Sequence, residues 1–315
     1  MPDNIIIRTE HVRKSYGKAV VINDISLEIM EGEIFGIVGP NGAGKTTFIE
    51  CMEGLRKPDG GTIRVKGMDP VKDRYALSAS IGIQLQESEL QPRIKLGEAV
   101  DLYASFYSKR ADQKVLLDQL GLTDQKNTMF SKLSGGQKQR LFAALALIND
   151  PDIVFLDELT TGLDPHARHG TWEMIRGIRN RGKTVFLTTH FMEEAEKLCD
   201  RVAIIDQGRL IALDTPGNLI KKLDAETRIT FRVNENVQAN ALNALDGVNG
   251  ITRVENKPDT VIVYGKGAEL LTGLINRLSV NGIPFSDLAV MTPNLEDVFL
   301  TLTGKEMGEA NGGRS

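Results

Sequence analysis

The segment GPNGAGKTT, residues 39–47, constrains the fold of this chain more than any other part of its sequence. It fits the pattern G-x-x-x-x-G-K-[ST] and stands between the apolar run EIFGIVG and a stretch that favours a helix. Glycines leave backbone N–H groups free to surround phosphate oxygens, and the start of a helix adds a favourable dipole. The sequence therefore predicts an α/β fold with a nucleotide-phosphate site at residues 39–47, which we call the phosphate loop.

Each residue of the phosphate loop is a candidate for nucleotide binding. The Lys45 ammonium can reach the β- and γ-phosphates, and the Thr46 hydroxyl can bind Mg²⁺. The nine candidates are Gly39, Pro40, Asn41, Gly42, Ala43, Gly44, Lys45, Thr46 and Thr47.

Polar residues that end two later apolar runs predict the chemistry of the site. The run IVFLDE ends in Asp157 and Glu158, and TVFLTT is followed by His190. Asp157 suits Mg²⁺ coordination, and Glu158 suits a general base that directs a water toward the γ-phosphate. Because ligands bind at the carboxyl ends of strands in open α/β sheets, we expect these residues to converge on the phosphate loop. We expect His190 to bind the γ-phosphate or to orient Glu158.

Composition limits the choice of partners. The chain has 315 residues, 41% of them hydrophobic and 25% charged, which suits one large and one small domain. A formal net charge of −4 offers no general attraction for nucleic acid. Two cysteines, Cys51 and Cys199, favour a reducing compartment over a disulfide or zinc framework. No apolar run approaches the roughly 20 residues that span a bilayer, so a membrane role needs a partner.

Changes in hydrophobic pattern predict the domain limits. Residues from about 88 to 150 have helical spacing and separate the phosphate loop from the later apolar strands. From Arg228 the order is βαββαβ followed by a short helix, the split βαβ arrangement. We expect a nucleotide-binding domain at 1–222, a C-terminal α+β domain at 223–305 and a disordered tail at 306–315.

The segment LSGGQ at residues 133–137, which we call the signature segment, stands where a second helix begins. The stretch from Gln137 to Asp150 is rich in helix formers, so Ser134, Gly135 and Gly136 lie at its entrance. A hydroxyl, close backbone approach and a helix N-terminus together form a second anion-binding surface.

In their order along the chain, these motifs resemble those of the ATP-binding subunits of ATP-binding cassette (ABC) transporters. The match adds TTGLDP at 160–165 and covers residue 5 to about 220. It implies a P-loop NTPase cassette with a RecA-like core, an antiparallel β subdomain and a helical subdomain. It also implies ATP hydrolysis with Mg²⁺.

The resemblance gives roles to further residues. Tyr16 resembles the aromatic residue that stacks on adenine, and Asp164 resembles one that crosses between two subunits. Gln86 resembles the glutamine that touches Mg²⁺ and the attacking water, with Gln84 as a competing candidate. One departure is Leu159-Thr160 after Glu158, where the family usually has Pro-Thr.

The family also implies partners. Ser134, Gly135, Gly136 and Gln137 of one copy are expected to close over the ATP held by the phosphate loop of another, so that a homodimer encloses two ATP molecules. Motion is then passed to a separate polytopic permease at the cytoplasmic face of the membrane, with no direct membrane insertion and no nucleic acid. We hypothesise that Gln86 to Arg93 contacts that permease.

The C-terminal domain, which ends in PNLEDVFLTLTGKE, resembles that of drug-resistance-type (daunorubicin-resistance-like) exporter ATPases. We expect it to regulate or brace the dimer. The alternatives are an importer ATPase and an ABC ATPase that acts on nucleic acid. A P-loop kinase or GTPase is disfavoured by LSGGQ and TTGLDP.

Overall fold

The structure of the protein is a computed structural model that describes residues 4–84 and 89–304. The described chain forms two compact units, one built on the residues up to Leu219 and the other on Ile220–Thr301. The domain limits expected at 1–222 and 223–305 remain predictions, and the tail at 306–315 lies outside the described residues.

The regular elements of the described residues alternate along most of the chain. The strands are β1 (Ile5–Tyr16), β2 (Ala19–Met30), β3 (Ile34–Val38), β4 (Gly60–Val65), β5 (Ile81–Gln84), β6 (Ile153–Asp157), β7 (Thr184–Thr189), β8 (Arg201–Asp206), β9 (Arg209–Asp214), β10 (Thr227–Arg232), β11 (Ile251–Lys257), β12 (Thr260–Gly265) and β13 (Ser286–Met291). The helices are α1 (Lys45–Met52), α2 (Arg74–Ser78), α3 (Leu96–Ser105), α4 (Gln113–Gln119), α5 (Gly135–Leu147), α6 (Pro165–Asn180), α7 (Met192–Leu198), α8 (Pro216–Lys222), α9 (Glu235–Leu245), α10 (Leu270–Val280) and α11 (Leu295–Thr303).

A six-stranded sheet in the order β5-β6-β7-β3-β8-β9 forms the centre of the first unit. Its first five strands are parallel, and β9 is antiparallel to β8. Every residue of β3, β6 and β7 is buried, which explains their unbroken apolar runs. Because β7 pairs with both β6 and β3, the carboxyl ends of these three strands lie side by side, as the sequence predicted.

A smaller antiparallel sheet in the order β2-β1-β4 completes the β structure of the first unit. Its inward residues, among them Ile7 and Ile25, share one hydrophobic core with Phe48 of α1 and Phe155 of β6. Burial of such side chains contributes roughly 1.5–3 kcal/mol each. This shared core fixes α1, and with it the phosphate loop, against the central sheet.

Helices fill the stretch between β5 and β6, where helical spacing predicted them. This stretch carries α3, α4 and α5, with two short 3₁₀ turns at Thr123–Gln125 and Phe130–Lys132. The helix α5 contacts α3, α6 and the strand β5. The start of α5 therefore lies on a helical layer that is separate in sequence from the phosphate loop.

The second unit has the predicted βαββαβ order, with strands in the spatial order β11-β12-β10-β13 and antiparallel neighbours throughout. Alternate apolar residues of β10 and β12, such as Phe231 and Val263, pack in one core with Leu274 and Leu278 of α10. Among the residues that the structure describes, no helix has both the length and the apolar character needed to cross a bilayer.

Candidate nucleotide-binding and catalytic site

The phosphate loop connects β3 directly to α1, as its sequence pattern predicted. Lys45, the first residue of α1, is buried, and its ammonium donates hydrogen bonds to the carbonyl oxygens of Gly39 (2.9 Å) and Pro40 (3.2 Å). Lys45 thus stabilises the phosphate loop through hydrogen bonds to the loop's own backbone. Burial lowers the pKa of Lys45, and the Glu158 carboxylate opposes that change.

Two glycines of the phosphate loop are required by their surroundings. A Cβ at Gly39 would lie 2.1 Å from the backbone oxygen of Ile205, and one at Gly44 would lie 2.5 Å from that of Val21. Gly44 also has a φ of 98°, in the left-handed region that favours glycine. The fold can therefore form this loop only with glycine at these positions.

Asp157, the last residue of β6, lies buried among hydroxyl groups. Its Oδ1 accepts a hydrogen bond from the Thr188 hydroxyl on the neighbouring strand β7. Burial raises the pKa of Asp157, and hydrogen bonds from the Thr188 and Thr46 hydroxyls work in the opposite direction. The structure thus brings together Asp157 and Thr46, two of the three residues predicted for metal binding.

Glu158 leaves the strand through a sharp backbone turn. Its φ of 48° is unusual for a residue other than glycine, and its N–H donates to both the backbone oxygen and the hydroxyl of Thr188, each at 3.2 Å. The carboxylate lies between two cationic or titratable groups, 3.6 Å from Lys45 Nζ and 3.5 Å from His190 Nδ1. Glu158, His190 and the lysine of the phosphate loop therefore meet at one edge of the sheet, as predicted.

His190 follows β7 and is partly exposed, and its ring lies 4.1 Å from that of Phe191. Its Nδ1 approaches Glu158 without hydrogen-bond geometry, so this buried nitrogen has no hydrogen-bond partner in the described part of the chain. A polar atom in this state is available to a group that enters the site.

A buried network behind these residues escaped the sequence analysis. Both oxygens of Glu194 on α7 are engaged, Oε2 by the Thr160 hydroxyl at 3.0 Å and Oε1 by Trp172 Nε1 at 3.3 Å. Thr189, next to His190, also bonds this carboxylate, and burial raises the pKa of Glu194. The network thus joins Thr160, two positions after Glu158, to Thr189, which precedes His190. Thr160 belongs to the sequence that departs from the usual Pro-Thr, and its hydroxyl keeps a structural partner.

The helix of the signature segment begins at Gly135, two residues earlier than the run of helix formers suggested. Ser134 is the N-cap, and its hydroxyl accepts a hydrogen bond from the Gln137 N–H at 3.3 Å. Gln137 Oε1 in turn accepts from the Ser134 N–H at 2.9 Å, which forms a capping box. Ser134 and Gly135 are exposed at this helix start.

The remaining candidates occupy different surroundings. Tyr16 ends β1 and is 42% exposed. Two cationic groups lie near its ring, Lys14 Nζ at 5.5 Å and Arg56 Cζ at 5.6 Å from the ring centroid. Asp164 is the N-cap of α6, where its Oδ1 accepts from the Ala167 N–H at 3.0 Å. Gln86 lies outside the described residues.

The oxygens around Asp157 have the chemistry that Mg²⁺ prefers. A carboxylate and a hydroxyl supply hard oxygen ligands, and Mg²⁺ bound with substrate phosphates needs only one or two carboxylates from the protein. In residues 4–84 and 89–304 no group of three His, Cys, Asp or Glu residues is arranged to hold a metal by itself. The oxygens of Asp157 and Thr46 suit a metal ion that also binds phosphate oxygens.

A glycine loop leads from a buried strand into a helix, and an acidic pair and a histidine lie at adjacent strand ends. This combination defines a P-loop nucleoside triphosphatase. A family model described as ABC transporter matches residues 22–161. The chain is 38% identical over 310 residues to the Nod factor export ATP-binding protein I of Paraburkholderia xenovorans (strain LB400), which covers 96% of this chain and 98% of that protein. It is 42% identical over 306 residues to the protein of the same name from Rhizobium johnstonii (strain DSM 114642 / LMG 32736 / 3841), with 94% of each covered. This chain belongs to the ABC transporter family, as an ATP-binding subunit.

A solved structure agrees with this assignment. The chain resembles the dimeric post-hydrolysis state of the ATP-binding cassette MJ0796 bound to ADP and Pi, with a TM-score of 0.60 and 26% identity over 66% of this chain and 98% of that one. The predicted P-loop ABC cassette fold and the predicted ATPase activity are thereby confirmed. The drug-resistance-like subtype remains a prediction.

Proposed function

We propose that this chain is the ATP-hydrolysing subunit of an ABC exporter, in which two copies close head to tail around two ATP molecules. Export is supported by the relatives, which are named for Nod factor export. The importer and nucleic-acid alternatives find no such support. The cargo would be chosen by a separate permease, so the relatives' cargo is not transferred to this chain.

The observation that carries the proposal is the position of the Glu158 carboxylate. It lies 3.6 Å from the phosphate-loop lysine Lys45 and 3.5 Å from His190, at the sheet edge where the γ-phosphate of a bound triphosphate belongs. Glu158 accepts a proton from the attacking water. His190 presents a ring nitrogen that can orient Glu158 or bind the γ-phosphate, and Lys45 stabilises the charge on the transferred phosphoryl group.

The phosphate loop binds the phosphates through its backbone N–H groups, from Gly39 to Thr47. The ammonium of Lys45 exchanges its bonds to Gly39 and Pro40 for bonds to phosphate oxygens. Tyr16, half-exposed at the end of β1, stacks on the adenine.

Mg²⁺ fits the oxygens of Thr46 and Asp157, to which the resemblance adds Gln86. Held there, Mg²⁺ would supply positive charge that offsets the negative charge of the phosphates. Burial raises the pKa of Asp157, and the hydrogen bonds from the Thr46 and Thr188 hydroxyls oppose this by favouring the charged carboxylate that a cation needs.

The signature segment of the partner copy completes the site. Its helix start is exposed, and the helix is 13 residues long, so Ser134, Gly135, Gly136 and Gln137 present an anion-binding surface that faces outward from the lone chain. ATP favours the closed pair because it contacts both copies, and loss of the γ-phosphate removes that preference. Asp164 would cross the interface at the same stage.

A separate permease spans the membrane, and this chain attaches to it at the cytoplasmic face. Gln86 to Arg93 is the segment that we propose for this attachment. Residues 86–88 of that segment lie outside the described residues. Crosslinks from residues 89–93 to a copurified membrane protein are the expected result. If other surfaces of the ATPase reacted and this segment did not, the contact would have to lie elsewhere.

The head-to-tail pair is tested with Glu158→Gln, which slows hydrolysis and preserves the bound triphosphate. Light scattering after gel filtration should give a monomer without nucleotide or with ADP, and a dimer with Mg-ATP. A second variant that combines Glu158→Gln with Ser134→Arg should stay monomeric with Mg-ATP, because the arginine blocks the helix start. A monomer for the single variant at saturating Mg-ATP contradicts the proposed pair.

A further inference from the structure

We propose that Arg56, in the loop between α1 and β4, is a positioning residue that holds the Tyr16 ring for stacking on the base of the nucleotide. The Arg56 Cζ atom lies 5.6 Å from the centroid of that ring, close enough for a cation–π interaction. The inference rests on the proposed function, in which Tyr16 stacks on adenine. It adds a residue that acts on the ring and not on the nucleotide itself.

Tyr16 stands at the tip of a hairpin and has a small neighbour across it. It is the last residue of β1, its partner on β2 is Ala19, and 42% of its surface is exposed. Such a ring can turn about its side-chain bonds, and every orientation that does not face the base lowers the affinity for a nucleotide. A second side chain that fixes the ring therefore contributes to binding without contact to the ligand.

Arg56 is itself held in place by α1, the helix that begins at Lys45. Its Nε donates a hydrogen bond to Glu50 Oε2, and its backbone N–H donates to the Glu50 carbonyl oxygen at 3.0 Å. The hydrogen bond with Glu50 raises the pKa of Arg56, and a smaller contribution comes from Tyr16. The guanidinium thus connects the helix of the phosphate loop to the Tyr16 ring.

This connection relates the base site to the phosphate site. Glu50 lies on the same short helix as Lys45, and Phe48 anchors that helix in the hydrophobic core. The base and the phosphates of a nucleotide are separated by a limited range of distances. A ring that is tied to α1 is therefore presented at a defined distance from the phosphate loop, which reduces the entropy that binding must cost.

Lys14 lies equally close to the ring, with its Nζ 5.5 Å from the centroid, but its bonds serve the strand. Its ammonium donates to Asp59 Oδ1 at 2.8 Å, and Asp59 Oδ2 accepts from the Ser15 N–H at 2.7 Å. These bonds join β1 to the loop that follows α1. An ammonium is a point charge, whereas a planar guanidinium can stack on a ring and also donate hydrogen bonds. Loss of Arg56 should therefore act on the Tyr16 ring and leave the strand in place.

The test compares Mg-ADP with Mg-pyrophosphate, titrated calorimetrically into the full chain. Both probes engage the phosphate loop, and only ADP carries a base. Arg56→Met should weaken Mg-ADP binding by about three- to tenfold, the loss expected for one cation–π contact and one hydrogen bond. Mg-pyrophosphate binding should stay within about 1.5-fold. In steady-state hydrolysis the loss should appear in KM for ATP rather than in kcat.

Arg56→Lys keeps the charge and loses the planar group. Its affinity for Mg-ADP should lie between those of Arg56→Met and the unmodified protein, and it supplies a second variant if Arg56→Met fails to fold. Arg64→Met is the matched control, because Arg64 on β4 is about as exposed as Arg56 and forms an ion pair with Asp69 at 3.3 Å. It should bind both probes as the unmodified protein does.

A double-variant cycle shows whether Arg56 acts through the ring. Tyr16→Leu should weaken Mg-ADP binding by about 5- to 100-fold, the usual contribution of a base that stacks on an aromatic side chain. The addition of Arg56→Met to Tyr16→Leu should cause less than about a 1.5-fold further loss, because no ring is left to position.

The outcomes separate this inference from the function on which it rests. Equal losses of the two probes in Arg56→Met, the same loss in Arg64→Met, or additive losses in the double variant would overturn the positioning role. Unchanged Mg-ADP binding by Arg56→Met, beside a clear loss in Tyr16→Leu, would also overturn it and would leave the base assignment intact. Unchanged binding by Tyr16→Leu would overturn the assignment of Tyr16 to adenine, and the role of Arg56 with it.

Discussion

The phosphate loop and the signature segment both carry glycines at the start of a helix. They differ in whether the fold itself requires glycine at those positions. A Cβ at Gly39 would lie 2.1 Å from the oxygen of Ile205. One at Gly135 would have Leu163 Cδ2 as its nearest neighbour, at 4.0 Å, and one at Gly136 would lie 3.6 Å from Ala167 Cβ. The fold requires the first glycine and tolerates side chains at the other two. The proposed contact with a partner's nucleotide would account for glycine at these two positions.

The two segments also differ in what lies behind them. Lys45 faces the carboxylate of Glu158, with His190 beyond it. The contacts of Ser134, in contrast, are those of a helix cap with Gln137. In the proposed function, the phosphate loop faces the groups for hydrolysis, and the signature segment offers a second phosphate-binding surface. This difference predicts that catalysis, binding and assembly respond to separate substitutions.

The largest effect should come from Glu158→Gln, which removes the proposed base. We expect kcat to fall by about 10²- to 10⁴-fold, the usual contribution of general base catalysis, with ATP affinity almost unchanged. Steady-state ATPase rates and equilibrium nucleotide binding measure the two. Glu193→Gln, which alters an exposed carboxylate at the start of α7, is the control and should keep its activity. Hydrolysis within tenfold of the unmodified rate would remove Glu158 from this role.

Lys45→Ala should act on binding. Loss of charge-assisted bonds to phosphate oxygens should weaken ATP affinity by about 10- to 100-fold. Fluorescence titration with an ATP analogue measures this change, and Lys18→Ala, an exposed lysine next to Gly17, is the control. Unchanged affinity would contradict the assignment of the phosphate loop as the primary phosphate site.

A pair of glycine substitutions tests the comparison itself. Gly39→Ala should lower the free energy of unfolding by about 1–3 kcal/mol or prevent folding, because its Cβ meets backbone. Gly135→Ala should leave that free energy unchanged or raise it by up to about 1 kcal/mol, since alanine favours the helix. Thermal unfolding of the isolated chain compares the two.

Gly135→Ala should nevertheless reduce ATP-dependent dimerisation and ATPase activity, by about tenfold, a loss that corresponds to about 1.4 kcal/mol. The measurements are light scattering in the Glu158→Gln background and steady-state hydrolysis in the otherwise unmodified chain. If Gly135→Ala dimerised and hydrolysed ATP normally, the absence of a side chain at this position would need another explanation.

The smallest effect is expected from Thr160→Val, which removes the hydroxyl bonded to Glu194 and keeps the side-chain shape. We expect kcat to fall a few-fold and KM for ATP to stay constant, because one hydrogen bond that positions the segment after Glu158 is lost, worth about 1 kcal/mol. Thr171→Val is the control, since the Thr171 hydroxyl bonds only within its own helix, to Ala167. An equal change in both variants would indicate a general effect on packing.

The sequence predicted those parts of the site that depend on local pattern. The strand ends at Asp157, Glu158 and His190 were identified because apolar runs mark buried parallel strands, and such strands end at one edge of the sheet. The βαββαβ order of the second unit followed from the same alternation. Ser134 was placed at a helix start because a run of helix formers, Gln137 to Asp150, follows it.

Contacts between distant side chains left no such pattern. Glu194 lies 34 residues from Thr160 and 22 from Trp172, and its position on a short acidic helix predicts an exposed carboxylate. Glu53 likewise stands in a polar stretch, MEGLRKPDGG, although it is 3% exposed in the fold. The burial of these two carboxylates depends on which strands and helices surround them, and a single sequence does not specify that.

The bonds that Lys45 makes to Gly39 and Pro40 have a thermodynamic consequence for the resting protein. When a nucleotide binds, Lys45 exchanges its hydrogen bonds to two backbone carbonyls for bonds to phosphate oxygens. The net free energy of binding is therefore smaller than the new contacts alone suggest. The same internal carbonyls accept the lysine again as spent nucleotide departs. A loop with this internal competitor is suited to turnover, because the competition lowers nucleotide affinity and so favours release after hydrolysis.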